Sequence, residues 1–148
     1  MQPRLAVLID AENVTAKQWP HIRKAIETKG SIVCCRIFAD FSDGRCGKWL
    51  KIAQEQALQT VMQLSGPNAS DISMTVAAMD LLHTSKLEGF CLVSSDADFT
   101  PLAQRLRSAG LKVFGYGKAA TSASLRSACT EYTSFENLTA PALAAKAA

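Results

Sequence analysis

A chain of 148 residues has room for one domain and little more. Hydrophobic residues make up 48% of it and charged residues 20%, which excludes a disordered, collagen-like or bare coiled-coil chain and supplies enough apolar material for a core. Sixteen Lys and Arg against 13 Asp and Glu leave a net charge of +3, a mild bias that admits a nucleic-acid partner without demanding one. No apolar run approaches the roughly 18 to 20 residues of a membrane span. Asp10 interrupts the first apolar run too early for the core of a signal peptide. A cytoplasmic protein with no membrane partner is therefore expected. The five cysteines, Cys34, Cys35, Cys46, Cys91 and Cys129, contain no C-x-x-C and read as reduced thiols, not as a zinc site.

Along the chain, strand-length apolar runs alternate with helical patterns. Strands are expected at Leu5 to Ile9, Ile32 to Ala39, Thr60 to Leu64, Phe90 to Val93 and Leu111 to Tyr116, with a sixth at Tyr132 to Phe135. Helices are expected at Ala16 to Thr28, where Trp19, Ile22 and Ile26 share a face, then at Lys48 to Gln56, Ile72 to Leu82, Thr100 to Ser108 and Ser122 to Cys129. Alternation of this kind builds βαβ units and a parallel sheet, so the fold class is α/β. Ser42 to Gly47 and Ser65 to Ser70 read as loops, the second placing Ser70 as the cap of the third helix. The expected domain covers residues 1–138. Residues 139–148, rich in Ala and Pro, read as a flexible tail or a linker cut short.

The acids fall where such a sheet binds ligands, beyond the carboxyl ends of its strands. Asp10 follows the first strand directly, and Asp96 and Asp98 follow the fourth in Val93-Ser94-Ser95-Asp96-Ala97-Asp98. Asp71 stands in the first turn of the third helix, after a loop able to carry it to the same edge. Asp71 and Asp98 each also suit a helix N-terminus, and Asp40 and Asp43 read as solvated loop acids. Two carboxylates about 5 Å apart repel by roughly 3 kcal/mol at an effective dielectric near 20, so four together call for a counter-charge. Oxygen ligands without His or Cys favour Mg²⁺ or Mn²⁺, ions that commonly take substrate phosphates as further ligands. Phosphate-ester hydrolysis is the chemistry such a site suits.

Four segments also carry a family resemblance. Leu8-Ile9-Asp10-Ala11-Glu12-Asn13, Asn68-Ala69-Ser70-Asp71-Ile72, Val93 through Leu102 with its S-S-D-x-D-F core, and Gly115-Tyr116-Gly117-Lys118 together resemble the NYN domain family, in particular its bacterial LabA-like branch. The resemblance runs from Leu5 to Leu138. It implies a PIN-like fold, a three-layer sheet in the order 3-2-1-4-5, and a metal-dependent ribonuclease. In that scheme Asp10, Asp71, Asp96 and Asp98 are catalytic and metal-binding, while Asn13, Ser94 and Ser95 are their polar companions. The resemblance leaves room for a homodimer and for a C-terminal winged-helix module of the LOTUS type, where this chain has only its Ala/Pro tail.

The sequence departs from that pattern at Gly66-Pro67-Asn68, where many relatives have Gly-Lys-Asn. Phosphate and RNA contacts are accordingly expected from Lys118, Thr121 and Ser122 at the sheet edge and from Arg45 and Lys48 by the second loop. The missing lysine motivates an alternative, a non-catalytic RNA-binding or scaffolding domain of the same fold. Asp96-Ala97-Asp98-Phe99-Thr100 also fits a phosphotransferase D-x-D-x-T motif, but that fold needs the motif on an early strand with a lysine and a further acidic pair well downstream, and after Thr100 this chain offers only Lys112, Lys118, Glu131 and Glu136 before the tail. Gly115-Tyr116-Gly117 lacks the third glycine of a dinucleotide fingerprint.

Overall fold

The computed structural model describes residues 2–64, 66 and 68–138, with Asp43 known through its backbone alone. Six strands form one parallel sheet: β1 (Arg4–Asp10), β2 (Ser31–Ala39), β3 (Gln59–Met62), β4 (Gly89–Val93), β5 (Lys112–Gly117) and β6 (Glu131–Ser134). Their order is β3-β2-β1-β4-β5-β6, the expected order with β6 added beside β5. The helices are α1 (Trp19–Glu27), α2 (Gly47–Gln56), α3 (Ala69–Thr84), α4 (Thr100–Ser108) and α5 (Ala123–Ala128).

β1 is the axis of the molecule and is buried on both faces, which is why it reads as an unbroken apolar run. Leu5, Val7 and Ile9 point into one core with Trp19, Ile22 and Ile26 of α1 and Trp49 of α2. Ala6 and Leu8 point into the other, with Met74 and Leu81 of α3, Leu102 and Leu106 of α4 and Leu125 of α5. α1 and α2 thus cover one face and α3, α4 and α5 the other, giving three layers. Cys35 joins the first core and Cys34 packs against the second, as the period-2 alternation of a strand requires; all five cysteines are free.

Several expectations need correction. The first helix opens as a 3-10 turn, Ala16–Gln18, before α1 proper. β3 ends at Met62, two residues early, and α3 starts at Ala69, three residues early. Ser70 is therefore no cap: Asn68 holds that position, in the left-handed conformation, and Ser70 is buried inside the helix, where its Oγ accepts a 2.5 Å bond from Gln63 Nε2. Asp40 is not solvated; it is 7% exposed and its Oδ1 accepts from the Ser42 amide, capping the turn Phe41–Asp43. Residues 139–148 and Pro67 lie outside the described residues. Among the described residues no helix is long and apolar enough to cross a membrane.

Candidate metal centre

Because β1 and β4 are neighbours, their carboxyl ends adjoin, with Ile9 opposite Val93 in register. Asp10 and Ser94, one residue further on each strand, meet there: Ser94 Oγ donates to Asp10 Oδ2 at 2.9 Å. Asn13, turned back by a bond from its amide to the Asp10 carbonyl, donates its Nδ2 to the same oxygen at 2.9 Å. Asp10 is fully buried, and its second oxygen, Oδ1, has no hydrogen-bond partner among the described residues. Burial raises its pKa above the ordinary carboxylate value; the bonds from Asn13 and Ser94 counter this in part, and the charges of Asp96 and Glu12 add to it.

Ser94 Oγ also accepts from the Asp96 amide at 3.1 Å, so one hydroxyl ties β1 to the segment after β4. Asp96 then caps the turn Ala97–Phe99, its Oδ1 accepting from the Asp98 amide at 2.9 Å. Asp98 does not cap α4, whose N-cap position belongs to Phe99. Asp71, in the first turn of α3, completes the group: Asp71, Asp96 and Asp98 each offer one carboxylate oxygen within 4.8 Å of the others. Burial and then the neighbouring Asp96 charge push the Asp71 carboxyl up to about 7. Asp10 is not one of these three, though the Asp96 charge acts on it.

Three oxygens gathered this closely, and a buried fourth carboxylate with an orphaned oxygen, fit a hard divalent cation. The third face of the site comes from the end of β5. Gly117 lies so close to Ser94 and Ser95 that a Cβ there would stand 2.5 Å from Ser95 Oγ and 2.8 Å from the Ser94 carbonyl, and a Cβ on Gly115 would stand 2.8 Å from Cys129 Sγ, which accounts for the glycine pair without a dinucleotide. Ser95 is held from the same side: its Oγ accepts from the Lys118 amide at 2.6 Å and its carbonyl from Thr121 Oγ1 at 2.7 Å.

A family model for the NYN domain matches residues 4–138. The chain belongs to the NYN domain family. This NYN domain is a member of the PIN-like nuclease superfamily, and its six-stranded parallel sheet is the corresponding α/β fold. No curated protein matches the chain.

The remaining sequence candidates separate into two groups. Thr121 and Ser122 spend their hydroxyls locally, Thr121 on Ser95 and Ser122 on the Leu125 amide as the cap of the six-residue α5. Lys118, Arg45 and Lys48 line one cavity, together with Lys17 and Glu12. Sequence reasoning passed over those last two. Glu12 carried a signal in its closeness to Asp10, and Lys17 carried none, being a single exposed cation on a helix start. Trp49 is a core residue, its indole N–H donating to the Val14 carbonyl at 2.9 Å. His21 and His83 are exposed and take no part in the acidic group.

Proposed function

We propose that this NYN domain is a metal-dependent ribonuclease that hydrolyses RNA phosphodiester bonds at its acidic edge, with Mg²⁺ or Mn²⁺ as cofactor. The observation that carries this reading is the convergence of Asp71, Asp96 and Asp98 within 4.8 Å, backed by the unpartnered Oδ1 of buried Asp10. A divalent cation held there supplies polarisation of a phosphoryl oxygen and neutralisation of the charge that develops on it. Asp96 is the central ligand because its position is fixed twice, through its own amide to Ser94 and through its Oδ1 to the Asp98 amide. Asp71 and Asp98 supply the remaining ligands or position the attacking water. Asp10 adds a further carboxylate beside them, and Asn13 and Ser94 hold it in one orientation. Ser95 keeps the β5 side of the site in register.

The S-S-D-x-D-F segment supports placement in the LabA-like branch, and we expect a cytoplasmic protein. Ile72 and Val76 of α3, with Met62 and Leu64 by the edge strand β3, are exposed apolar residues that support a homodimer. A LOTUS-type module joined after residue 138 would add RNA selection.

The test is cleavage of a labelled single-stranded RNA with Mn²⁺ or Mg²⁺, with EDTA, and with folded Asp10→Asn and Asp96→Asn variants. Products that require metal and disappear in both variants are expected. Cleavage that persists in the variants would remove the assignment. RNA binding without any metal-dependent product would favour the non-catalytic RNA-binding alternative.

A further inference from the structure

A cavity of about 920 Å³ opens beside the acids without containing any of them. The buried residues that form its floor are Ala11, Val14, Cys46, Trp49 and Phe135, none more than 6% exposed. Its rim is cationic: Lys17, Lys48 and Lys118 are exposed, and none of the three forms an ion pair among the described residues. Arg45 adds a fourth positive charge. The one carboxylate among the lining residues, Glu12, already accepts the Asp40 amide at 2.9 Å.

Two bonds fix where this cavity stands relative to the metal centre. Asn13 lines it and donates to Asp10, and Lys118 lines it while its amide bonds Ser95, the residue before Asp96. A polyanion whose scissile phosphate lies over the acids therefore runs directly into the cationic rim. An apolar floor under that rim suits a base, which has a π-face to bury, with its flanking phosphates on the lysines. Bases in a duplex are stacked and paired, and they cannot enter a concave pocket without being pulled out of the helix at a cost. An acidic protein segment would satisfy the rim but would leave the apolar floor unused.

We infer that the cavity holds one unpaired nucleotide of an RNA strand whose adjoining phosphate lies over Asp71, Asp96 and Asp98, so that cleavage falls at a fixed step from a single-stranded position. This rests on the ribonuclease reading for the cleavage step and on the cavity alone for binding.

Binding is measured in EDTA, by fluorescence anisotropy of a short labelled single-stranded RNA against increasing salt. The triple variant Lys17→Ala/Lys48→Ala/Lys118→Ala is expected to bind about tenfold more weakly or worse near physiological salt. Its log–log salt slope should fall by about 2, three phosphate contacts at roughly 0.7 each. Thr15→Trp, at an exposed position on the cavity wall, should obstruct part of the pocket and weaken the preference for single-stranded RNA over a duplex of equal length. Lys86→Ala/Lys112→Ala, at the amino ends of β4 and β5 on the far side of the sheet, should leave both properties unchanged.

Wild-type affinity in the triple variant, or an equal loss in the far-side control, would overturn the inference. So would displacement of the RNA by an acidic peptide as effective as unlabelled RNA, which would assign the cavity to a protein ligand. Binding lost in the variants of a protein that never cuts would sink the nuclease and keep the pocket. Metal-dependent cutting with unchanged affinity in the variants would do the reverse.

Discussion

The two halves of the acidic edge are built differently. On the strand side, Asp10 and Asp96 share Ser94 as a common bonding partner, Asn13 adds a second donor to Asp10, and the whole set hangs from two neighbouring strands at the centre of the sheet. On the helix side, Asp71 arrives on the first turn of α3, and its carboxyl faces the acids Asp96 and Asp98, which act on it with like charge. The strand half is preorganised by hydrogen bonds; the helix half is held against like-charge repulsion by the packing of α3 on the sheet through Met74, Ala78 and Leu81. Such a contrast suits a site that is completed by a cation, because the ion relieves strain in one half without having to order the other.

If the strand half is the preorganised one, breaking its shared hydroxyl should cost the most. Ser94→Ala removes one of the two donors to Asp10 Oδ2 inside a fully buried site, and a loss of about 1–3 kcal/mol in denaturant unfolding is expected. Cleavage should fall by roughly 10- to 100-fold, the usual effect of removing an outer partner of a metal ligand. Asn13→Ala, at an exposed residue, should reproduce the activity loss with a smaller stability loss. Equal rates in Ser94→Ala and wild type would mean that the Asp10 orientation does not matter to the reaction.

A smaller effect sharpens the other half of the comparison. The Asp71 carboxyl is raised above its ordinary value to about 7, by burial first and by the Asp96 charge second. A carboxyl raised in the folded state stabilises the fold below its unfolded pKa of about 4, and that contribution is lost as the pH rises through about 7. The metal-free protein should therefore lose stability between pH 4 and pH 7 along this linkage, and Asp71→Asn should flatten the slope. Thermal melts across that range in EDTA measure it; an unchanged slope in the variant would mean that the Asp71 carboxyl is not raised in the folded protein.

The strand half was legible in the sequence, whereas of the helix half the sequence placed Asp71 in the first turn but not the start or cap of its helix, for physical reasons. An acid directly after Ala6-Val7-Leu8-Ile9, and a Ser-Ser-Asp after the apolar β4, mark strand ends locally, so Asp10, Ser94 and Asp96 fall into place once the sheet order is known. Ser65 to Ser70 offers several small polar residues, each able to cap a helix, and in the fold Asn68 takes the cap position while buried Ser70 bonds the Gln63 side chain. No local pattern announces such a bond. Asp98 also suited a cap of α4, because the 3-10 turn in front of that helix, capped by Asp96, is invisible to helical periodicity. The cavity is the extreme case. Its wall is assembled from residues 11–18, residues 44–49, Lys118 and Phe135, which only the fold brings together.

The central claim, that this edge holds a divalent cation, is tested most directly by titrating the metal-free protein with Mn²⁺ and reading the bound ion by electron paramagnetic resonance. Wild type is expected to bind and to gain stability on doing so, about 2.7 kcal/mol at a concentration 100 times the dissociation constant. Folded Asp96→Asn should lose both the bound-ion signal and the gain. Equal Mn²⁺ binding by wild type and Asp96→Asn would contradict the account, whatever either protein does to RNA.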